Sequence, residues 1–286
     1  MKRTLLDISG KLDAATIGIF ELIRDVAAAK NIKFFTIGAM ARDLIFHHGY
    51  GIEVGRATRD IDLAVQVSDW DQFAQLKNGL LETGSFNETN KVHKLVNDHG
   101  MQFDIVPFGT IKQQDGSISW LPDNAVKMNV LGFDEALEDA MPMKLNMNPH
   151  LEVLVVSPTS LVVLKLISWK DRPQERARDA IDIGFVINHY LDAGNNERFF
   201  EDHSDIMASP FDYIESGARL LGRDIANLAK QETLSTIIDL LEQQTAENSQ
   251  HLLIQHMIAR ADEDSQFDIA LRNLMAIRDG IRDITG

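Results

Sequence analysis

Thr58-Arg59-Asp60-Ile61-Asp62-Leu63-Ala64-Val65 is the stretch that decides the fold of this chain. Its apolar second half predicts a strand over residues 60–67, with an Asp-x-Asp pair at the start. Side chains alternate across a strand, so Asp60 and Asp62 project from the same face. Two carboxylates this close repel each other unless a cation neutralises them, and Mg²⁺ held by carboxylates and phosphates is the common case.

A third carboxylate is predicted to lie near this pair. Residues 92–108 are expected to form a hairpin, because Asn97-Asp98-His99-Gly100 suits a tight turn between two apolar runs. If the hairpin pairs beside the strand that contains Asp60 and Asp62, Asp104 can face the same cleft as these two acids. Three carboxylates on adjacent strands can hold two Mg²⁺ ions for in-line phosphoryl or nucleotidyl transfer. Asp60, Asp62 and Asp104 are therefore the predicted catalytic and metal-binding residues.

The segment before the Asp-x-Asp pair predicts a phosphate site. A strand over residues 33–37 ends at Gly38, twenty-two residues before Asp60, and a helix is expected over residues 40–48. A turn of small residues that leads into a helix presents free backbone N–H groups and a positive dipole end. The predicted nucleotide-binding residues are Gly38, Ala39, Arg42, Asp43, Thr58, Lys94 and Lys165.

Several of these residues have a second interpretation. Arg42 and Asp43 can instead pair with each other or cap the helix. Lys165 lies in an apolar stretch, so its ammonium either binds the triphosphate or reaches water from a helix edge, and Lys94 has the same two alternatives. Asp179, together with the acid three residues later, is predicted to form a structural salt-bridge network with nearby arginines.

Composition and charge limit the class of protein. The chain has 286 residues and no Cys, which excludes disulfides, thiolate metal sites and a Cys nucleophile. The formal net charge of −15 weighs against a large nonspecific nucleic-acid surface, although a local basic patch and a basic protein partner remain compatible with it. No stretch has the features of a signal peptide or a membrane span, so a cytoplasmic location and no membrane partner are expected.

The pattern of elements predicts an α+β protein in two parts. Residues 1–156 are expected to form a mixed sheet with flanking helices. From Ser157-Pro158-Thr159 onward the periodicity becomes helical, and residues 157–286 are expected to form a helical C-terminal domain. Helices are predicted over residues 159–170, 174–191, 196–206, 210–230, 232–243, 248–261 and 264–283.

These motifs carry a family resemblance. The order strand, Gly38-Ala39-Met40-Ala41-Arg42-Asp43, helix, Asp-x-Asp strand and then a strand with Asp104 resembles the polymerase-β-type nucleotidyltransferase superfamily. More narrowly, it resembles the abortive-infection nucleotidyltransferases of the AbiEii/AbiGii type. The helical segment from Lys165 to Asp182 is similar to that family's Lys…Arg…Asp-x-x-Asp segment. The resemblance spans about residues 30–190.

The resemblance implies an Mg²⁺-dependent nucleotidyltransferase that moves a nucleoside monophosphate from an NTP to an RNA or protein acceptor. It also implies a toxin–antitoxin or phage-defence context with an antitoxin partner. A small-molecule nucleotidyltransferase of the antibiotic-modifying type and a non-catalytic nucleotide- or antitoxin-binding module are the alternatives. Ala39 replaces the Gly or Ser usual in the superfamily and favours the module, whereas the three acids favour the enzyme.

Overall fold

The structure is a computed structural model, and it describes residues 5–55, 58, 60–122, 126–207, 210–258 and 264–286. The chain divides into two compact units, Met1–Ser157 and Pro158–Gly286. The first unit has a mixed sheet with helices, and the second unit is helical. The predicted α+β fold class is therefore confirmed.

The first unit is organised around an eight-stranded sheet. Its strand order is β1-β9-β10-β2-β3-β6-β5-β4, and β7 and β8 form a separate antiparallel pair. The strands are β1 Leu6–Asp7, β2 Lys33–Ile37, β3 Ile61–Gln66, β4 Asn87–Glu88, β5 Lys94–Val96, β6 Gln102–Phe108, β7 Ser117–Ser119, β8 Lys127–Asn129, β9 Met141–Asn146 and β10 Leu151–Val155.

The centre of the sheet positions the acidic residues. Strand β3 pairs antiparallel with β2 and parallel with β6, and β5 pairs antiparallel with β6. Ile61, Leu63, Ala64 and Val65 are buried, as expected for a central strand with elements on both faces. The rings of Phe35 and Phe108 meet edge to face, with centroids 5.7 Å apart, in the core. The predicted hairpin therefore lies beside the Asp-x-Asp strand.

The helices of the first unit are α1 Ala14–Ala29, α2 Gly38–Arg42, α3 Trp70–Glu82 and α4 Phe133–Asp139. Helix α2 continues directly into a π-helical segment, Asp43–Gly49, where the sequence predicted a single α-helix. The N-cap of α3 is Asp69, whose side chain accepts a hydrogen bond from the Gln72 N–H. The Ser68 backbone N–H donates in turn to the Gln72 side chain.

The second unit contains helices α5 Pro158–Asp171, α6 Ala177–Asn188, α7 Asn196–Asp202, α8 Tyr213–Leu228, α9 Gln231–Thr245, α10 Leu252–Met257 and α11 Asp264–Thr285, with a 3₁₀ turn at Ser204–Ile206. Helices α8 and α11 approach closely through glycines, because a methyl group on Gly280 would lie 2.9 Å from the Arg219 carbonyl carbon. Among the described residues, no helix combines the length and apolar character that a membrane span requires.

Candidate active site

Asp62 and Asp104 lie opposite each other on neighbouring strands. They are register partners in the parallel pairing of β3 with β6. Partners in register project from the same face of a sheet, so the two carboxylates are side by side. Both side chains are half-buried, and 32% of the Asp104 side chain is exposed. The structure thus brings together two of the three predicted acids on one face.

Lys94 extends this row by one strand. It is the register partner of Asp104 in the antiparallel pairing of β5 with β6. Its Nζ lies 3.1 Å from Asp104 Oδ1 and donates a hydrogen bond of 2.7 Å to the Gln102 side chain. Asp104 Oδ1 is itself buried and has no hydrogen-bond partner within the part of the chain that the structure describes. Lys94 therefore offsets the charge of Asp104 without satisfying this oxygen as an acceptor.

Gly38 forms the floor beneath Asp62. It follows β2, whose last residue, Ile37, is the register partner of Asp62. Its φ angle of +67° lies in the left-handed region that favours glycine. A methyl group on Gly38 would lie 2.8 Å from Asp62 Cγ and 3.0 Å from Asp62 Cβ, closer than carbon atoms pack. Only glycine allows the Asp62 carboxylate to rest against the first turn of α2.

Arg42 and Asp43 form a buried ion pair at the junction of α2 with the π-helical segment. Arg42 donates hydrogen bonds of 2.9 Å from Nε and 2.7 Å from Nη2 to Asp43 Oδ1. The second oxygen, Oδ2, accepts a hydrogen bond of 2.9 Å from the backbone N–H of Thr58. This geometry supports the interpretation that the two residues pair with each other and hold the loop before β3. Direct contact of either residue with a nucleotide stays a prediction.

Asp60 lies immediately before β3 and is exposed. The strand begins at Ile61, one residue later than predicted. The Asp60 backbone N–H donates to Thr58 Oγ1 over 3.2 Å. Over the described ranges, no group of three or more His, Cys, Asp and Glu side chains is arranged to hold a metal ion. Among the described residues, the structure therefore pairs Asp62 with Asp104 but does not form the predicted three-carboxylate cluster, because Asp60 lies before the strand pairing.

Comparison with protein families identifies this chain. The model of the family described as nucleotidyl transferase AbiEii toxin, type IV TA system, matches residues 23–273. The chain belongs to the AbiEii family. It is a nucleotidyltransferase, as the order of its motifs predicts, and its family belongs to toxin–antitoxin systems.

Solved structures show only distant likeness to this AbiEii protein. The antibiotic-resistance factor ANT(2'')-Ia shares 15% identity, with 68% of this chain and 99% of that chain covered and a TM-score of 0.33. An apo CCA-adding enzyme shares 14% identity over 96% and 72% of the two chains, with a TM-score of 0.31. A CCA-adding enzyme in complex with ATP shares 16% identity over 96% and 71%, with a TM-score of 0.33. Comparison with curated proteins gives no match.

Lys165 lies in the second unit of the AbiEii protein, on α5, and is buried there. Its Nζ lies 2.8 Å from Asp179 Oδ1 and 2.7 Å from Asp182 Oδ2, both on α6. Burial by itself lowers the pKa of Lys165, but the two carboxylates outweigh burial and raise the pKa above its usual range. The network predicted around Asp179 thus includes Lys165, which the sequence assigned to the nucleotide site. This pairing favours a structural role, and contact with a triphosphate stays a prediction.

A cleft of about 800 Å³ adjoins the loop that Asp43 holds. Its walls come from the residues just before and at the start of α1, from the π-helical segment, from the loop before β3 and from the turn between β5 and β6. Residues from each part are Lys11, His48, Thr58 and His99. Burial, together with the nearby positive groups His47 and Lys11, lowers the pKa of His48, while Asp43 opposes the shift.

Sequence reasoning did not find this cleft or the role of Thr58 as a link. The cleft residues are far apart in the chain and carry no shared motif, so no local signal could have grouped them. For the link between Asp43 and Thr58, the one available signal was an acid placed fifteen residues before a threonine that precedes the Asp-x-Asp pair. That spacing has no meaning until the loop is folded.

Proposed function

We propose that this AbiEii protein transfers a nucleoside monophosphate from an NTP to an RNA or protein acceptor, with a divalent cation held at Asp62 and Asp104. The observation that carries the proposal is the register of these two acids on one face of the sheet, above Gly38. Like charges on adjacent strands repel each other unless a cation lies between them, and the Lys94 ammonium lies 3.1 Å from Asp104 Oδ1.

The donor atoms suit Mg²⁺. The ion prefers oxygen ligands and is commonly held by one or two carboxylates together with phosphates and water. Asp104 Oδ1 is buried and accepts no hydrogen bond from the described residues, although Lys94 Nζ lies 3.1 Å away, so this oxygen keeps the acceptor capacity that a divalent cation would use. Asp60 would add a further carboxylate and, with a second Mg²⁺, complete a two-ion site. Bound there, Mg²⁺ would neutralise charge on the triphosphate and on the leaving pyrophosphate.

The protein's own groups would align the reaction. The backbone N–H groups of Gly38 and Ala39 would bind the phosphates, and Lys94 would offset their charge. Asp104 would orient the acceptor hydroxyl and take its proton as the hydroxyl oxygen bonds to the α-phosphorus. The bond between the α-phosphorus and the bridging oxygen then breaks, and pyrophosphate leaves with its electron pair. Ala39 offers no hydroxyl, so phosphate binding at that position depends on the backbone.

A labelling experiment tests this function and identifies the acceptor. The protein is incubated with each α-labelled NTP, Mg²⁺, and either total RNA or a protein extract, and the product is then digested with ribonuclease or protease. Label released by ribonuclease identifies an RNA acceptor, and label released by protease identifies a protein acceptor. Asp62→Asn should abolish labelling, whereas Asp71→Asn, an exposed acid on α3, should not change it.

The negative outcome is equally informative. An NTP that raises the melting temperature while no acceptor becomes labelled would overturn the transferase and support a nucleotide-binding module. Labelling of an added aminoglycoside, with none of RNA or protein, would support the small-molecule enzyme.

An antitoxin partner is part of the proposal, because the family model describes a toxin of a type IV system.

A further inference from the structure

Asp43 has two buried oxygens that do different work. Only 5% of the residue is exposed. Oδ1 is bound by the Arg42 guanidinium over 2.9 and 2.7 Å, and Oδ2 is bound by the Thr58 N–H over 2.9 Å. The guanidinium holds Oδ1 of the carboxylate, and Oδ2 in turn holds the backbone N–H of Thr58. A buried charge that is fully paired in this way is rigid, because losing either partner leaves the other desolvated.

Thr58 passes this constraint to Asp60. Its hydroxyl oxygen accepts the Asp60 backbone N–H over 3.2 Å. The register of β3 with β2 and β6 begins at Ile61 and Asp62, so Asp60 lies before the sheet pairing. A continuous chain of contacts therefore runs from Arg42 through Asp43 and Thr58 to the backbone of Asp60.

We propose that Asp43 and Thr58 are positioning residues that set the Asp60 carboxylate relative to Asp62 and so complete the divalent-cation site. The inference rests on the proposed function. An exposed acid outside a strand samples many positions, and a metal site that has to order it loses affinity. The contacts from Asp43 and Thr58 order the backbone of this acid before the cation arrives. Groups that orient metal ligands in this way typically change affinity by about 10- to 100-fold when removed.

A purely structural role is the alternative, and the two roles differ in what they change. If Thr58 only supports the loop, its loss lowers thermal stability and leaves cation affinity unchanged. If it positions Asp60, its loss weakens cation binding and lowers kcat, while stability and the KM for NTP change little. Cation affinity is measurable by calorimetry with Mn²⁺ alone, with no nucleotide or acceptor present.

Thr58→Val is the sharpest variant, because it removes the hydroxyl and keeps the shape of the side chain. Thr58→Ser keeps the hydroxyl and should restore binding. Thr110→Val is the matched control, since Thr110 also loses a single hydroxyl hydrogen bond, to the Ser68 carbonyl, on an exposed loop. We expect Thr58→Val to bind Mn²⁺ about 10-fold more weakly and to lose a similar factor in kcat. The Thr110→Val and Thr58→Ser proteins should match the wild type.

Asp43→Asn tests the next contact in the chain. It removes the charge that holds Arg42, and hydrogen exchange of residues 58–62 should become faster as Mn²⁺ affinity falls. Wild-type Mn²⁺ affinity and kcat in Thr58→Val would overturn the inference, even if Asp43→Asn fails to fold. Failure of the proposed function is distinguishable from this result, because the wild type would then bind no Mn²⁺ and Asp62→Asn would change nothing. That outcome would overturn both proposals together.

Discussion

The Asp62 carboxylate rests directly on the Cα of Gly38, where the end of β2 meets the start of β3. A methyl group at position 38 would lie 2.8 Å from Asp62 Cγ. The same glycine has a φ angle of +67°, so its conformation and its lack of a side chain are both required. The turn that leads into α2 and the acid that faces it are thus fitted to each other.

Gly38→Ala should therefore inactivate the enzyme beyond its effect on folding. The new methyl group has to displace Asp62 or the turn, and a displacement of about 1 Å at a reacting group can cost about 100-fold in rate. Gly84→Ala is the matched control, because Gly84 has a φ of +71° and open space around it. Thermal melts should show a similar loss of stability in both variants, because both place alanine at a positive φ. Labelling kinetics should show loss of transfer only in Gly38→Ala. Equal activity of the two variants would contradict the assigned role of Gly38.

Local patterns in the sequence were enough to predict the central sheet. The alternation around Asp62, the turn signals at Asn97–Gly100 and the strand ending at Gly38 each have a local cause that the fold preserves. Strands β1 and β9 were not predicted. The first has only two residues, and the second, Met141–Asn146, contains a Pro that lowers strand propensity. Their parallel pairing joins segments more than a hundred residues apart.

The sequence was enough to predict which residues belong to the candidate site, but not which of them contact each other. Spacing placed Asp62 and Asp104 on strands, but only the register places them opposite each other. The pairing of Lys165 with Asp179 depends on how α5 and α6 pack, and a sequence shows only an apolar stretch with a cation in it. Contacts between residues far apart in the chain, such as the hydrogen bond from Thr58 to Asp43, cannot be predicted from local sequence patterns.

Lys94→Met should distinguish the effect of Lys94 on Asp104 from its proposed effect on the nucleotide phosphates. Removing the ammonium 3.1 Å from Asp104 Oδ1 removes a positive charge that repels a metal ion at that carboxylate, so Mn²⁺ should bind a few-fold more tightly. The KM for NTP should rise at the same time, because a cation that offsets the phosphates is lost. Calorimetry with Mn²⁺ and steady-state kinetics measure the two effects separately. Lys33→Met, at an exposed position of β2, is the control, and an unchanged KM in Lys94→Met would remove Lys94 from the nucleotide site.

Lys165→Met should destabilise the protein strongly. It leaves Asp179 and Asp182 without their shared cation, and breaking a buried ion pair typically costs about 3–5 kcal/mol in the free energy of unfolding. Adding Asp179→Asn should recover part of that loss by removing one uncompensated charge. Urea unfolding measures the stability, and NTP binding to the folded double variant tests the remaining role. An NTP affinity equal to that of the wild type is expected if Lys165 is structural. Weaker NTP binding would support the triphosphate contact predicted from the sequence.

Gly222→Ala should open the α8–α11 pair. A methyl group there would lie 2.9 Å from the Ile277 carbonyl carbon and 3.0 Å from the Gly280 Cα, and backbone cannot give way as a flexible side chain can. We expect the free energy of unfolding to fall by about 3 kcal/mol. Gly184→Ala on α6 is the control, because its nearest neighbour, Met257, is at an ordinary 3.6 Å and alanine favours helix by up to about 1 kcal/mol. A destabilised Gly184→Ala alongside a stable Gly222→Ala would refute this packing.

Asp283 should make the second unit sensitive to acid. Hydrogen bonds from Arg219 lower the pKa of Asp283, partial burial opposes this shift, and Arg223 adds to the lowering. A carboxylate with a lowered pKa in the folded state contributes stability above its unfolded pKa of about 3.9 and loses that contribution as pH falls through the folded pKa. Asp283→Asn should therefore be less stable than wild type by about 1 kcal/mol near pH 7, and the difference should shrink below about pH 4.

Urea unfolding of both proteins between about pH 3 and pH 7 measures this difference. Asp268→Asn, an exposed acid on the same helix, should follow the wild type at every pH. Because many carboxylates titrate in this range, the decisive quantity is the gap between the curves of variant and wild type rather than either curve alone. A gap that stays constant down to about pH 3 would mean that the link between α8 and α11 depends on packing around Gly222 and Gly280 and owes nothing to the charge of Asp283.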